Sequence, residues 1–299
     1  MCTSPPSAPL ISTRLWTFRS PSAFCLCNKE ISITTIAELI SLKGRRALIT
    51  GAAGGIGTII AHSLAELGAD LILVDVQGRD YGSMISELHD EWGTGIEILP
   101  CDLEQHEERS ALLSVVLQQD RSLDILINNA AFVGTSDLDG WCTEFGRQSV
   151  ETWNRAISVN LTAAFDLSKG LAPLLRKNSR GTVINIASIY GIVGPDYSLY
   201  EGTAMGNPAA YAASKGGLIQ LTRWLATTIA PDVRVNTISP GGVFRNQPDE
   251  FVKRYSAKTP LGRMAREDDF RGAIAYLASD LSQYCTGHNL VVDGGWSAW

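Results

Sequence analysis

No stretch of this 299-residue chain stays apolar for the roughly 18 residues a membrane helix needs, so no membrane span is expected. Positive charge is not in surplus: 25 Lys and Arg face 31 Asp and Glu, for a net charge of −6. The cations are scattered, which leaves no basic face for nucleic acid. Cysteine is sparse. The six (Cys2, Cys25, Cys27, Cys101, Cys142, Cys285) repeat no metal spacing, and the lone C-x-C at Cys25 and Cys27 matches structural zinc patterns poorly. The four histidines (His62, His89, His106, His288) are dispersed, so no metal site is expected. Free thiols, as in cytoplasmic α/β proteins, fit this usage. No internal repeat of solenoid period is present.

No acidic residue precedes Glu30. Residues 1–30 carry Arg14, Arg19 and Lys29 among many Ser, Thr and Pro, and they lack the continuous apolar core of a secretory signal. Three readings stay open: an upstream extension that does not fold, an organelle-targeting segment, or a structured arm. The expected organisation is an N-terminal extension over 1–40, disordered or targeting, ahead of one domain over 41–299, with a cytoplasmic location.

What is present is an alternation of short apolar runs with helical patterns. Strands are expected near 46–50, 70–75, 96–101, 123–128, 182–188, 233–239 and 289–293, with helices between them. That order predicts an α/β fold with a parallel, doubly wound, seven-stranded sheet and helices on both faces. LDILIN and TVINIA are almost continuously apolar, as strands buried on both faces should be.

The first strand, RALIT (46–50), runs into GAAGGIG and then a helical pattern from Ile56 to Leu67. Strand, glycine turn and helix is the context in which a phosphate-binding loop works. Gly51 suits the tight turn, Gly55 lets the backbone approach a pyrophosphate, and Gly57 lets helix and strand pack closely. The helix N-terminus offers free N–H groups and the positive end of its dipole. The next strand, DLILVD, ends in Asp75, placed either to bind a ribose 2′-hydroxyl or to cap the following helix.

Tyr211 and Lys215, in YAASK, stand four positions apart and so share one face of a helix. A lysine ammonium close to a phenol favours the phenolate and lowers the tyrosine pKa, which makes Tyr211 a candidate general acid/base at a carbonyl oxygen. The alternative is an ordinary amphipathic helix with a packed Tyr and a solvated Lys.

From about Leu42 to Trp296 the chain resembles the short-chain dehydrogenase/reductase family, in its compact single-domain branch. The matching pieces are TGAAGGIG (50–57), CDL (101–103), NNAA (128–131), VN (159–160), INIAS (184–188), YAASK (211–215), SPGG (239–242) and DGGW (293–296), in the family's order. The resemblance implies a Rossmann-type three-layer domain and NAD as cofactor, with NADP disfavoured by Asp75. It implies a catalytic tetrad of Asn160, Ser188, Tyr211 and Lys215. In it, Ser188 bonds the substrate oxygen, Lys215 also holds the nicotinamide ribose, and Asn160 holds a water. It places Gly51, Gly55, Ile56, Gly57, Asp75, Asp102, Leu103, Asn129, Ala130, Tyr211, Lys215, Pro240, Gly241 and Val243 at the cofactor, with Asn128 also shaping the adenosine side.

Two departures stand out. Ser188 and Tyr211 are 23 positions apart, about twice the spacing usual in the family. The extra residues form a Gly- and Pro-rich loop, and a loop between two catalytic residues belongs at the pocket mouth. Tyr197, Tyr200 and Glu201 are its candidate substrate contacts, with Gly191, Gly194, Gly202 and Gly206 for mobility. Tyr-Glu-Gly-Thr, with Asn-Gln-Pro after SPGG, more loosely resembles sugar- and flagellin-modification members. Arg245 stands where the family commonly has a Thr at the pyrophosphate, and Arg245 or Asn246 is expected to replace it.

The expected function is NAD-dependent interconversion of a secondary alcohol and a ketone on a polar, sugar-like substrate. The alternatives are a 3-oxoacyl-[acyl-carrier-protein] reductase and, in another class, a non-catalytic NAD-binding regulatory subunit. The helix over 209–230, with Leu218, Leu221, Leu225 and Ile229 at helical spacing, leads to an expected homodimer or homotetramer.

Overall fold

Seven parallel strands run through the centre of the molecule: β1 (Arg46–Thr50), β2 (Asp70–Asp75), β3 (Ile96–Pro100), β4 (Ile125–Asn128), β5 (Gly181–Ile186), β6 (Val233–Pro240) and β7 (Asn289–Val292). They lie in the order β3-β2-β1-β4-β5-β6-β7. Every pairing is parallel. Strand order reverses between β1 and β4, so the crevice beyond their carboxyl ends is where an open α/β sheet binds its ligand. The computed structural model describes residues 33–119, 121–134, 136–203 and 205–299. The chain divides between Thr34 and Thr35, and residues 35–299 form one unit. The expectations for residues 1–32 lie outside the described residues. The folded unit begins before residue 41, with a helix Ile36–Ile40 (α1) closed by a capping box between Thr35 and Glu38.

Side chains alternate across the sheet with the strand period of two. Ala47, Ile49, Leu71, Leu73, Ile125 and Ile127 enter one core, with Ile60 and Leu64 from helix α2 (Gly55–Glu66). Leu48, Ile72, Val74, Leu126 and Val183 enter the other, with Leu112 and Val116 of α4 (His106–Gln118) and Leu167 and Leu171 of α6 (Ala163–Arg176). Between α2 and α4 lies α3 (Met84–Trp92). A short helix α5 (Val150–Ile157) runs into a π-helical turn, Ser158–Thr162, before α6. Helix α7 (Ala209–Thr228) follows β5 and the insertion, and α8 (Asp249–Lys258) and α9 (Arg271–Ala278) follow β6. Leu218 and Leu225 of α7 are buried, while Trp224 on its outer side is 53% exposed. Among the described residues, no helix is long and apolar enough to cross a membrane, and no group of His, Cys, Asp and Glu could hold a metal ion.

Candidate active site

A cleft of about 710 Å³ opens beyond the carboxyl ends of the strands. Its floor is the turn after β1. Gly51 has a left-handed φ of 63°, and a Cβ there would sit 2.8 Å from the Ala130 backbone. A Cβ at Gly57 would lie 2.0 Å from the Gly51 carbonyl oxygen, so only glycine lets α2 start this close to the turn. Gly54 caps α2 without a side chain, leaving the first N–H groups of the helix to face the cleft. The turn is held from both sides. Thr50 Oγ accepts the N–H groups of Asn129 (3.0 Å) and Ala130 (3.1 Å), and Asn129 Nδ2 donates to the carbonyls of Thr50 and Gly51. Asp75 Oδ2 accepts the Ala53 N–H at 3.0 Å, while its Oδ1 faces Arg79 Nε at 3.5 Å.

Gly51, Gly55, Ile56, Gly57, Asp75, Asp102, Leu103, Asn129, Ala130, Tyr211, Lys215, Pro240, Gly241 and Val243 all line this one cleft. Asn128 does not. It points into the sheet, where its Nδ2 donates to Asn185 Oδ1 at 2.8 Å. The cradle therefore suits a dinucleotide, with backbone at the phosphates and a carboxylate at the far end.

Ser188, Tyr211 and Lys215 meet across the cleft from the glycine turn. Ser188 ends the extension of β5; its Oγ accepts the Tyr190 N–H and also hydrogen-bonds the Tyr211 phenol. Capping and catalytic geometry thus coexist in one hydroxyl. Lys215 is buried, donates from Nζ to the Ile186 carbonyl at 2.7 Å, and lies 5.7 Å from the Tyr211 ring centre. The expected lowering of the tyrosine by its lysine is corrected here. Burial pushes Tyr211 up, the Ser188 hydrogen bond and the Arg245 charge pull it back only in part, and burial also pushes Lys215 down to about 7. Desolvation penalises the charged form of each partner. Asn160 differs from its expectation too. It lies in the π-helical turn, is 2% exposed, and spends its amide on protein: Oδ1 accepts the Phe132 N–H, and Nδ2 donates to the Phe132 carbonyl and Ser214 Oγ. The π-turn aims this side chain at the loop following β4 rather than at solvent.

The 189–210 insertion is fastened down. Asp196 pairs with Lys258, and the Glu201 carbonyl accepts from Arg254 Nη1, both partners being on α8. A Cβ at Gly191 would lie 2.7 Å from the Lys215 backbone, so this glycine serves close packing and not mobility. Of the three expected substrate contacts, only Tyr200 lines the cleft. Tyr197 is 65% exposed and Glu201 also faces solvent, because the turn at 197–201 directs them outward. Tyr190, Asn207, Phe251, Tyr255 and Met264, none of them foreseen, complete this end of the cleft.

A family model described as enoyl-(acyl carrier protein) reductase matches residues 51–297. An NADP-dependent mannitol dehydrogenase of Alternaria alternata is 30% identical over 88% of this chain and 96% of its own length. A 3-oxoacyl-[acyl-carrier-protein] reductase of Rickettsia felis is 36% identical over 86% of this chain and 98% of its own. A short-chain dehydrogenase of Leptospira borgpetersenii, solved with bound NAD+, superposes with a TM-score of 0.74 at 32% identity, covering 89% of this chain and 96% of the other. The chain belongs to the short-chain dehydrogenase/reductase family.

This dehydrogenase/reductase is an enzyme acting on CH–OH donors, which removes the alternative of a regulatory subunit without turnover. The cofactor is of the NAD(P) type. Its departure at Arg245 has a definite geometry: the guanidinium lies against Gly55, where a Cβ would meet Nη2 at 3.0 Å, and Glu267 holds it through a 3.1 Å ion pair. Asn246 beside it adopts a left-handed φ of 57°.

Proposed function

We propose that this enzyme interconverts a polyol-like secondary alcohol and its ketone, with NAD(H) preferred over NADP(H). The observation that carries the substrate reading is the polar end of the cleft. The Tyr190 and Tyr200 hydroxyls meet at 2.7 Å, and the Asn207 amide adjoins them, on the same wall as Ser188 and Tyr211. Such a wall hydrogen-bonds hydroxyls and suits an acyl chain poorly. The mannitol dehydrogenase relative is consistent with it.

The bound cofactor supplies the hydride chemistry. The glycine turn and the start of α2 hold its phosphates, and Arg245 takes the place of the usual hydroxyl at the pyrophosphate. Ser188 and Tyr211 bind the substrate oxygen, and the Tyr211 phenol gives or takes its proton. Lys215, anchored by the Ile186 carbonyl, would orient the nicotinamide ribose beside the phenol. Asn160 supports this arrangement by holding Phe132 in place.

Asp75 supports the preference for NAD(H), since a carboxylate repels a 2′-phosphate. Arg79 is already engaged with that carboxylate. The protein is further proposed to act in the cytoplasm as a two-fold symmetric dimer or tetramer. Exposed Trp224 on α7 and Phe165 on α6 offer the apolar outer surface such an assembly covers.

Turnover with NAD+ and NADP+ on D-mannitol, D-arabinitol, D-sorbitol and gluconate, with acetoacetyl thioester and NADH in parallel, tests the proposal. The expected result is a polyol as best substrate, with kcat/KM for NAD+ at least about tenfold above that for NADP+. A thioester preferred over every polyol overturns it.

A further inference from the structure

Glu267 stands opposite Arg245 by register. Val243 and Ala265 form a parallel bridge, in which the Phe244 N–H donates to the Ala265 carbonyl and the Ala265 N–H to the Gly242 carbonyl. Two residues further along each segment, side chains of the same face meet again. There Arg245 Nε donates to Glu267 Oε1 at 3.1 Å. Gln247 fixes the loop from within. Its Oε1 accepts the Arg245 N–H and its Nε2 donates to the Val243 carbonyl, both at 2.7 Å.

This pair flanks the first residue of α2. The atoms nearest to a Cβ at Gly55 are Arg245 Nη2 and Glu267 Oε1, both 3.0 Å away, and the backbone there has no left-handed φ. Glycine at 55 therefore makes room for the ion pair and not for a strained turn. A guanidinium this close to a helix start stands at the positive end of the dipole, where a cation is disfavoured unless an anion joins it. Two anions can do so: the Glu267 carboxylate, and the phosphates of the dinucleotide that the cradle suits. Among the described residues the Arg245 side chain hydrogen-bonds only from Nε, so both Nη groups remain for a phosphate. Phosphates bound there meet Glu267 as a like charge beside the same guanidinium.

We infer that Glu267 is a brake on cofactor affinity: it shares Arg245 with the pyrophosphate, weakens that contact and speeds release of the dinucleotide. Release of a product or cofactor limits turnover in many enzymes, which gives such a brake a use. Glu267 acts through Arg245 and is a positioning residue. The inference rests on the placement of Arg245 at the pyrophosphate proposed above and is independent of which alcohol is the substrate.

The test measures Kd by competition against NADH fluorescence for ADP-ribose, which carries the pyrophosphate, and for adenosine, which carries no phosphate. NADH dissociation is followed by stopped-flow. Glu267→Gln is isosteric, keeps an oxygen for Arg245 Nε and removes only the charge. The two side chains are 42% and 30% exposed, so solvent screens the pair, and ADP-ribose should bind about three- to fivefold tighter at low salt. NADH should dissociate more slowly by a similar factor, and the gain should shrink in about 0.5 M salt. Arg245→Gln should weaken ADP-ribose at least about tenfold, and neither variant should alter adenosine. Structural damage weakens binding, so a gain separates this role from a merely structural one. Unchanged or weaker ADP-ribose binding in Glu267→Gln, with the loss in Arg245→Gln intact, overturns the role of Glu267 alone. Unchanged ADP-ribose binding in Arg245→Gln removes Arg245 from the pyrophosphate, and this inference with it, while the alcohol–ketone reading stands.

Discussion

The two ends of the cleft are made in opposite ways. The cofactor end is built from backbone and small residues at strand ends: a glycine turn, the first N–H groups of α2, and the Thr50–Asn129 bracket between neighbouring strands. The substrate end is built from large side chains brought together from distant segments. Tyr200 packs on Phe251, Phe251 on Tyr255, Tyr255 on Trp296, and Trp296 against Tyr190. The first construction accepts almost no substitution because its atoms are already in contact, as the 2.0 Å position of a Cβ at Gly57 shows. The second depends on which side chains meet and so can be retuned without disturbing the first. Ser188, Tyr211 and Lys215 sit on the boundary between them.

That boundary gives the largest expected effect. Tyr211→Phe keeps the ring but removes the transferable proton, so kcat should fall by at least ~100-fold. NADH affinity, measured by fluorescence titration, should barely change. Near-normal turnover in this variant would mean that the proton passes elsewhere and that the two ends do not meet at Tyr211.

A smaller effect tests the cofactor end alone. Asp75→Ser removes the carboxylate and releases Arg79 from its ion pair, leaving a guanidinium free for a 2′-phosphate. The ratio of kcat/KM for NADP+ to that for NAD+ should rise at least about tenfold, or ~1.4 kcal/mol, with the order of preference among polyols unchanged. A changed polyol order would show that the two ends are not independent.

The smallest effect reports on burial at the junction. Lys215, pushed down to about 7, opposes folding while it is protonated. Its unfolded pKa is the higher one, so this penalty is fully present below about pH 7 and is relieved as the pH rises from about 7 toward 10.5. The Tm of the cofactor-free wild type relative to Lys215→Met should therefore climb as the pH is raised from about 7 to about 9. A difference that stays flat with pH would mean the lysine is hydrated and not held as described.

The same contrast explains what was legible in the chain. Strand and glycine motifs are local, and the observed strands fall within about two residues of their expected ends. The cleft-lining residues of the glycine turn and of 101–103, 129–130 and 240–243 were readable because they stand at or just after a strand end. Thr50 was visible as the last residue of RALIT and the first of TGAAGGIG; its bracket needs Asn129, 79 positions away and brought near by β1–β4 pairing. Asn160 was expected to hold a water, because nothing local announces the π-turn that commits its amide to Phe132 and Ser214. In the insertion, Tyr197, Tyr200 and Glu201 had no helical or strand period to say which would turn inward, and only Tyr200 does. Nothing local marks Phe251, Tyr255 and Trp296 as partners, since their shared surface exists only after the chain has folded.

The ring of aromatic contacts also bears on how such an enzyme changes over generations. Its members come from three stretches, 190–200, 251–255 and the tail at 296, and Tyr255 additionally accepts the Gly242 N–H at 2.6 Å beside the cleft-lining Gly241. Enlarging or reshaping the substrate end at one of these stretches leaves the other two with mismatched surfaces. A lineage moving to a bulkier substrate would thus need paired replacements far apart in the gene, with Tyr255 the member least free to vary.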